Sequence, residues 1–279
     1  MAEINYSMVQ KVLDSMAEYE RKSIGLKIVS KEGIGVTDSK FGGTPYVPRS
    51  VNSIPTTRKG TFLTLLAQFN LLQLPKNIFP ANQGILQFFI DGDDDISGAD
   101  FDNWANNDGF RVLFYSAIEE DYLTCHEVKA LYQDYKPEYL PITEGEWGIA
   151  FTEKVEGLAY TDYRFDDIFI SKWNELYQDN PISYLYDDLP DELCTQLFDA
   201  IHGFDHKLLG YPAFTQNDPR EYDKEYREYE LLFQMDSESG KELSYDIMWG
   251  DSGICNFFIR PDDLVKLDFS KVGYNWDCY

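Results

Sequence analysis

Apolar residues recur at helical spacing in three stretches of the chain. Near the N-terminus, this spacing predicts an amphipathic helix over residues 6–21. Aromatic residues four positions apart predict a second helix over 165–178. Leucines on one stripe predict a third helix over 188–201, with Asp188 as its N-cap. The first helix is expected to cover a sheet with its apolar face.

Alternating or aromatic-rich segments predict strands. Residues 24–29 alternate as in a half-buried strand, and residues 110–117 and 145–152 are rich in β-branched and aromatic side chains. A turn or short helix is predicted at 261–264. Further along, Tyr274, Trp276 and Cys278 alternate with polar residues, which predicts a final strand. Because the strands and helices show no regular βαβ alternation, the pattern favours an α+β fold with a mostly antiparallel sheet.

Two pairs of hydrophobic strands resemble each other. Residues 65–70 and 84–90 align with residues 231–236 and 253–259, and eight of the thirteen aligned positions are identical. Order and approximate spacing are also kept. A repeat of this kind predicts an internally duplicated architecture.

The repeat also predicts the domain organisation. We expect a single compact domain over residues 1–279, with repeat units at about 41–91 and 208–260 related by a pseudo-two-fold axis. Residues 1–40 would contribute an N-terminal helix and strand. Residues 92–207 would form a connecting segment with strands and two helices, so that helices flank the sheet.

Charge limits the classes of partner. The chain of 279 residues has 24 Lys and Arg against 49 Asp and Glu, a net charge of −25. Such a charge disfavours nucleic acid and membrane surfaces, and it either favours a basic protein partner or serves solubility alone. We expect a cytoplasmic protein, because the first twenty residues are too charged for a signal peptide and the four cysteines are scattered.

Polar positions interrupt the repeated strands. Strict alternation places Leu65, Ala67 and Phe69 on one core face, with Gln68 and Asn70 opposite. The second copy carries Gln234 and Asp236 at the corresponding positions, and the second strands carry Gln87 and Asn256. These side chains either meet near the axis, with Asp91 and Arg260 as partners, or satisfy buried backbone groups.

A turn at residues 249–253 precedes the second copy of the last repeated strand. Its Asp-Ser-Gly sequence is typical of a tight turn, and the ring of Trp249 beside Asp251 would alternatively line an amphipathic pocket. Together with the polar repeat positions it defines a candidate ligand-binding site. The site residues are Gln68, Asn70, Asp91, Gln234, Asp236, Trp249, Asp251 and Arg260.

The densest acidic segment is a weak metal candidate. Asp91, Asp93, Asp95 and Asp102 have the spacing of calcium-loop ligands. However, Ile96 stands where that loop requires glycine, and a strand precedes the segment instead of a helix. A solvated acidic loop is the simpler interpretation, and we predict no metal.

No catalytic set is recognisable. His202 and His206 are four apart, but the end of a helix separates them and no HExxH glutamate follows. Cys125 and His126 are sequence neighbours, whereas a nucleophile and its base seldom are. With no glycine-rich phosphate loop either, the sequence favours a protein without cofactor and leans against an enzyme.

Several motifs together resemble the YwqG-like family of bacterial proteins. They occupy residues 43–48, 66–71, 84–91, 210–212, 234–237 and 248–253, and the resemblance covers about 41–278. One departure is Ile54-Pro55, where the family has Trp-Pro. The resemblance implies a duplicated α+β fold, an unknown function with no established catalytic residue, and an association with toxin neutralisation.

Two functional hypotheses follow. The first is a non-enzymatic cytosolic protein that neutralises a basic partner such as a toxin domain, with the acidic loops 91–102 and 218–230 as its steering surface. The alternative is a small-ligand-binding protein or hydrolase with a polar site between the two repeats. The sequence leaves the oligomeric state open.

Overall fold

A large antiparallel sheet organises the protein, for which a computed structural model describes residues 4–279. The strands are β1 (Arg21–Ser30), β2 (Lys40–Gly42), β3 (Thr64–Asn70), β4 (Ile85–Ile90), β5 (Phe110–Tyr115), β6 (Glu146–Glu156), β7 (Lys207–Leu209), β8 (Glu230–Asp236), β9 (Glu238–Gly240), β10 (Tyr245–Ile247), β11 (Ile254–Ile259) and β12 (Gly273–Asp277). The α-helices of the described chain are α1 (Tyr6–Ser15), α2 (Cys125–Leu131), α3 (Phe165–Leu176), α4 (Leu185–Asp188), α5 (Asp191–Ala200) and α6 (Pro261–Val265), and four 3₁₀ helices lie in the connections between these elements.

The strand order is β12-β11-β8-β7-β1-β6-β2-β3-β4-β5, and β9 pairs with β10 in a separate hairpin. All neighbouring strands are antiparallel. The predicted α+β class with a mostly antiparallel sheet is therefore confirmed. The long strands β1 and β6 lie at the centre. We call β2 to β5 the first half, and β7, β8, β11 and β12 the second half.

The sheet curves until it is nearly closed, and the main core lies inside it. The rings of Phe69 and Phe233, from opposite halves, are 5.1 Å apart. At the two ends of the sheet, the ring of Tyr274 in β12 lies 5.3 Å from that of Phe110 in β5. Aromatic packing across the interior holds the halves together.

A second core lies under the helices α1, α3, α4 and α5. Val9 and Val12 of α1 are buried against Phe169 and Trp173 of α3. The helix predicted over residues 6–21 is too long: α1 ends at Ser15, and β1 already begins at Arg21. Among residues 4–279, no helix has the length and apolar character needed to cross a membrane.

A β-bulge corrects the predicted core face of β3. The register of β3 against β4 shifts between Leu65 and Ala67, so that Leu66 is the extra residue. Leu66 joins Ala67 and Phe69 in the main core, whereas Leu65 packs in a separate cluster with Phe89. Strict alternation therefore assigned Leu65 to the wrong face.

The connecting segment contains more helix than predicted. The helix α2 was missed although Thr124 and Glu127 form a reciprocal capping box at its start. Asp188 does not cap α5. It ends α4, and its carboxylate accepts hydrogen bonds from the backbone N–H groups of Ser183 and Tyr184.

Candidate functional site

The repeated amides of the first half anchor loops. Gln68 and Gln87 lie opposite each other in β3 and β4. Oε1 of Gln68 accepts from the N–H of Tyr46 and from Nε2 of Gln87, both at 2.8 Å. Nε2 of Gln68 donates to the carbonyls of Val36 and Asp38 at 2.8 and 2.9 Å. These bonds use both donors and both acceptor sites of the amide.

The second half repeats this arrangement. Gln234 lies opposite Asn256, and its Oε1 accepts from the N–H of Ala213 at 2.8 Å. Its Nε2 donates to the carbonyls of Gly203 and Asp205 at 2.9 and 2.8 Å. Nδ2 of Asn256 donates to the carbonyl of Ala213. Gln68 and Gln234 thus have the geometry of the structural alternative, in which buried amides satisfy backbone groups.

Other candidate residues are engaged in packing or turns. The side-chain amide of Asn70 donates to the carbonyl of Thr37 at 2.9 Å. Trp249 is 1 % exposed and packs in the main core instead of lining a pocket. Asp251 is exposed in a tight turn that is closed by a 2.7 Å bond from the N–H of Gly253 to the carbonyl of Trp249.

Asp91 and Arg260 do not pair. Nε of Arg260 lies 3.8 Å from a carboxylate oxygen of Glu228, and its guanidinium lies 5.0 Å from the ring centre of Tyr229. The carboxylate of Asp91 accepts the N–H of Asp93. Within residues 4–279, the predicted ion pair between these two residues is not formed, and each side chain contacts neighbours in its own half.

A cavity of about 710 Å³, here called the acidic groove, lies beside β4 and the loop that follows it. Its acidic residues are Asp91, Asp93, Asp94, Asp95, Asp100, Asp102 and Asp108, and Lys59 is the one basic residue of its lining. Phe101 and Tyr139 also line it, and each is about half exposed. Within residues 4–279, no three His, Cys, Asp or Glu side chains are placed to hold a metal ion.

The second acidic loop differs from its sequence appearance. Arg220 is only 2 % exposed and binds Asp218 and Asp162, which are equally buried. Its guanidinium also lies near the rings of Tyr163 and Phe214. Asp218 therefore belongs to a buried ion cluster and cannot contribute to the steering surface predicted over residues 218–230.

A second cavity, of about 430 Å³, is here called the His206 cavity. It lies where β1 and β6 meet the loop before β7 and the end of β8. Its charged or titratable lining consists of Lys27, Lys154, Asp205, His206, Asp236 and Glu238. Of these six residues, sequence reasoning placed only Asp236 in a ligand site.

Hydrogen bonds determine the state of His206. Its Nδ1 accepts the N–H of Asp236 at 3.0 Å, so the ring proton must be on Nε2, which donates to Glu238 at 2.9 Å. This bond lowers the pKa of Glu238, whereas burial raises the pKa of Asp236. His202 does not join His206; its Nδ1 accepts the N–H of Phe204.

One family model covers most of the chain. Residues 39–278 match the model of a domain of unknown function, DUF1963. The chain belongs to the DUF1963 family. A comparison with curated proteins found no match. The DUF1963 region contains both halves of the sheet and the whole acidic groove, whereas Lys27 and its strand β1 precede it.

Proposed function

We propose that this DUF1963 protein is a non-enzymatic interaction protein that binds a basic segment of a partner, such as a toxin domain, in the acidic groove. The observation that carries the proposal is the lining of the groove, which has seven aspartates and one lysine. Charge complementarity of this kind selects partners and speeds their association. Neutralisation of the partner would follow if the bound segment were needed for its activity.

One carboxylate of the groove, Asp91, is disfavoured in its charged form. Burial raises the pKa of Asp91, and the charges of Asp94 and Asp93 raise it further. A bound lysine or arginine side chain would relieve this repulsion. The half-exposed rings of Phe101 and Tyr139 offer faces on which a cation is attracted to the π-system.

We also propose that the chain is YwqG-like and cytosolic, and that its halves are duplicated units around a pseudo-two-fold axis. The duplication is supported by the strand order, which runs outward from β1 and β6 through corresponding strands. It is also supported by matching bulges at Leu66 and Leu232 and by the matching bonds of Gln68 and Gln234. The cytosolic assignment is supported by four free cysteines.

A labelled lysine- and arginine-rich decapeptide tests the proposed partner class. Fluorescence anisotropy should show binding that weakens steeply as salt rises, because exposed charges are screened. The double variant Asp95→Asn with Asp102→Asn should weaken binding about tenfold, since two exposed charges leave the groove.

Two other exposed acids provide the matched control. Asp179→Asn with Asp199→Asn removes the same charge from the helical side of the protein. This control should leave the affinity within about twofold, because distant exposed charges are screened. Equal losses in both double variants would contradict a specific groove, and absence of peptide binding would contradict the proposal altogether.

A second candidate function is small-ligand binding or hydrolysis. It is favoured by the His206 cavity, which combines charges of both signs with the half-buried Asp236. Cavities with a few convergent polar groups are the usual places for small ligands.

A further inference from the structure

The His206 cavity leaves two opposite charges without partners. Lys154 forms an ion pair with Asp205 at 2.9 Å, and the carboxylate of Glu238 is hydrogen-bonded by the ring of His206 at 2.9 Å. Within residues 4–279, neither Lys27 nor Asp236 forms an ion pair. Of the charged side chains that line the cavity, the ammonium of Lys27 and the carboxylate of Asp236 therefore have no side-chain partner in the described chain at ion-pair or hydrogen-bond distance.

The carboxylate of Asp236 is available to a ligand. One of its oxygens accepts the N–H of Ser237 at 2.8 Å, and the neighbouring backbone N–H is bound by His206. The side chain is half-buried, so a cation there would be shielded from bulk water. The ring of His206 donates to Glu238 and accepts at Nδ1, so it gives the carboxylate of Asp236 no hydrogen bond.

Lys27 supplies the positive charge for a ligand. Its side chain is exposed on β1 and lines the cavity. Its charge acts on Glu238 at longer range, where it contributes to the lowered pKa behind the larger effect of the His206 hydrogen bond. Within residues 4–279 Lys27 forms no ion pair, so its ammonium can receive an anionic group of a ligand.

On the basis of the small-ligand function, we propose that the His206 cavity binds a zwitterion of amino-acid size, with its ammonium on Asp236 and its carboxylate on Lys27. A volume of about 430 Å³ suits such a molecule. Neither a simple cation nor a simple anion would use both unpaired charges. The acidic groove takes no part in this site.

Calorimetry with a graded series of probes tests the charge pattern. The probes are glycine, β-alanine, 4-aminobutyrate and 5-aminovalerate, with the twenty protein amino acids, and butylamine and butyrate serve as probes with one charge. At least one zwitterion should bind, and both single-charge probes should bind at least about tenfold more weakly. Asp236→Asn and Lys27→Met should each weaken zwitterion binding by about tenfold or more.

Two variants on the same strands control for folding and general charge effects. Lys22→Met on β1 and Glu230→Gln on β8 change the same charges outside the cavity. They should leave zwitterion binding unchanged. If butylamine or butyrate binds as tightly as the zwitterion, the zwitterion proposal is overturned, whereas the small-ligand function of the cavity stands. If no probe binds, or if binding is insensitive to both cavity variants, the zwitterion proposal and the small-ligand function of this cavity are both overturned.

Discussion

The two halves end their first long strands with the same backbone bond and different chemistry. In the first half, the N–H of Asn70 donates to Oγ of Ser39 at 2.8 Å. In the second half, the N–H of Asp236 donates to Nδ1 of His206 at 3.0 Å. In both halves a side chain accepts this N–H, but the accepting residue is Ser39 in the first half and His206 in the second. The shared bond therefore serves the architecture, whereas an imidazole and a carboxylate are present at this position in the second half and not in the first.

The surroundings of these bonds differ in the same sense. In the first half, a short 3₁₀ helix at Leu71–Gln73 follows, and Gln73 accepts the N–H of Ser39 and donates to Asp38. In the second half, the strand β9 follows and brings Glu238 to His206. In the first half, the amide of Gln73 and the carboxylate of Asp38 form hydrogen bonds beside the shared bond. In the second half, the corresponding bond lies at the charged His206 cavity. The charged side chains of this region of the second half line a cavity.

The largest expected effect tests what the halves share. Gln68→Leu and Gln234→Leu should each lower the free energy of unfolding by about 3–5 kcal/mol, because leucine leaves one backbone N–H and two carbonyls without their side-chain partner. Urea unfolding measures the loss. Gln178→Leu, at an exposed position, should stay within about 0.5 kcal/mol of the parent. A loss under about 1 kcal/mol in either amide variant would break the structural equivalence.

A smaller effect sharpens the difference between His206 and Ser39. His206→Ala should cost about 2–3 kcal/mol, because the N–H of Asp236 loses its acceptor and Glu238 loses its partner. His206→Ser should cost about 1 kcal/mol less, since a hydroxyl accepts the corresponding bond in the first half. Thermal and urea unfolding provide the comparison. Equal losses in the two variants would show that the shared acceptor has no measurable role.

The smallest effect concerns pH. Asp277 in the second half and Tyr115 in the first half occupy corresponding positions, because Asp277 pairs with Ile254 and Tyr115 pairs with Ile85. Burial raises the pKa of Asp277 from 3.8 to about 6, so the folded state binds this proton more tightly than the unfolded state. Stability should fall as pH rises from about 4 to about 6 and then stay level with respect to this group. Burial raises the pKa of Tyr115 to about 12, above this range.

Asp277→Asn should remove this pH-dependent contribution and increase the free energy of unfolding by about 1 kcal/mol at pH 7. Tyr115→Phe, the matched change in the first half, should leave the profile between pH 4 and pH 7 unchanged in shape. Melting temperatures across that range measure both. Parallel profiles for the parent and Asp277→Asn would contradict the assignment.

Local patterns predicted local structure well. The helix over 165–178 corresponds to α3 at Phe165–Leu176, because its aromatic stripe is long and regular. The bulge at Leu66 was not predictable, since one extra apolar residue among apolar neighbours leaves no sign in an alternating pattern. The capping box of α2 was a readable signal that was missed.

The site was less predictable because distant strands create it. Lys27 and His206 line the same cavity because β1 pairs with β7. The spacing of residues along the chain does not predict which strands pair. The acidic segment around Arg220 resembles a solvated loop, yet ring contacts and two aspartates bury the arginine. The carboxylates of the acidic groove were visible in sequence, but their gathering around one cavity was not.

The central position of β1 has a consequence for biosynthesis. Ile24 pairs with Glu153 on one side and with Leu208 on the other. The strand β1 is therefore synthesised before both of its partners, β6 and β7, and its place in the sheet is completed only after both have been made. Such distant pairing slows folding and leaves apolar strand edges exposed for longer. Until β7 has been made, one edge of β1 in a nascent chain has no strand partner.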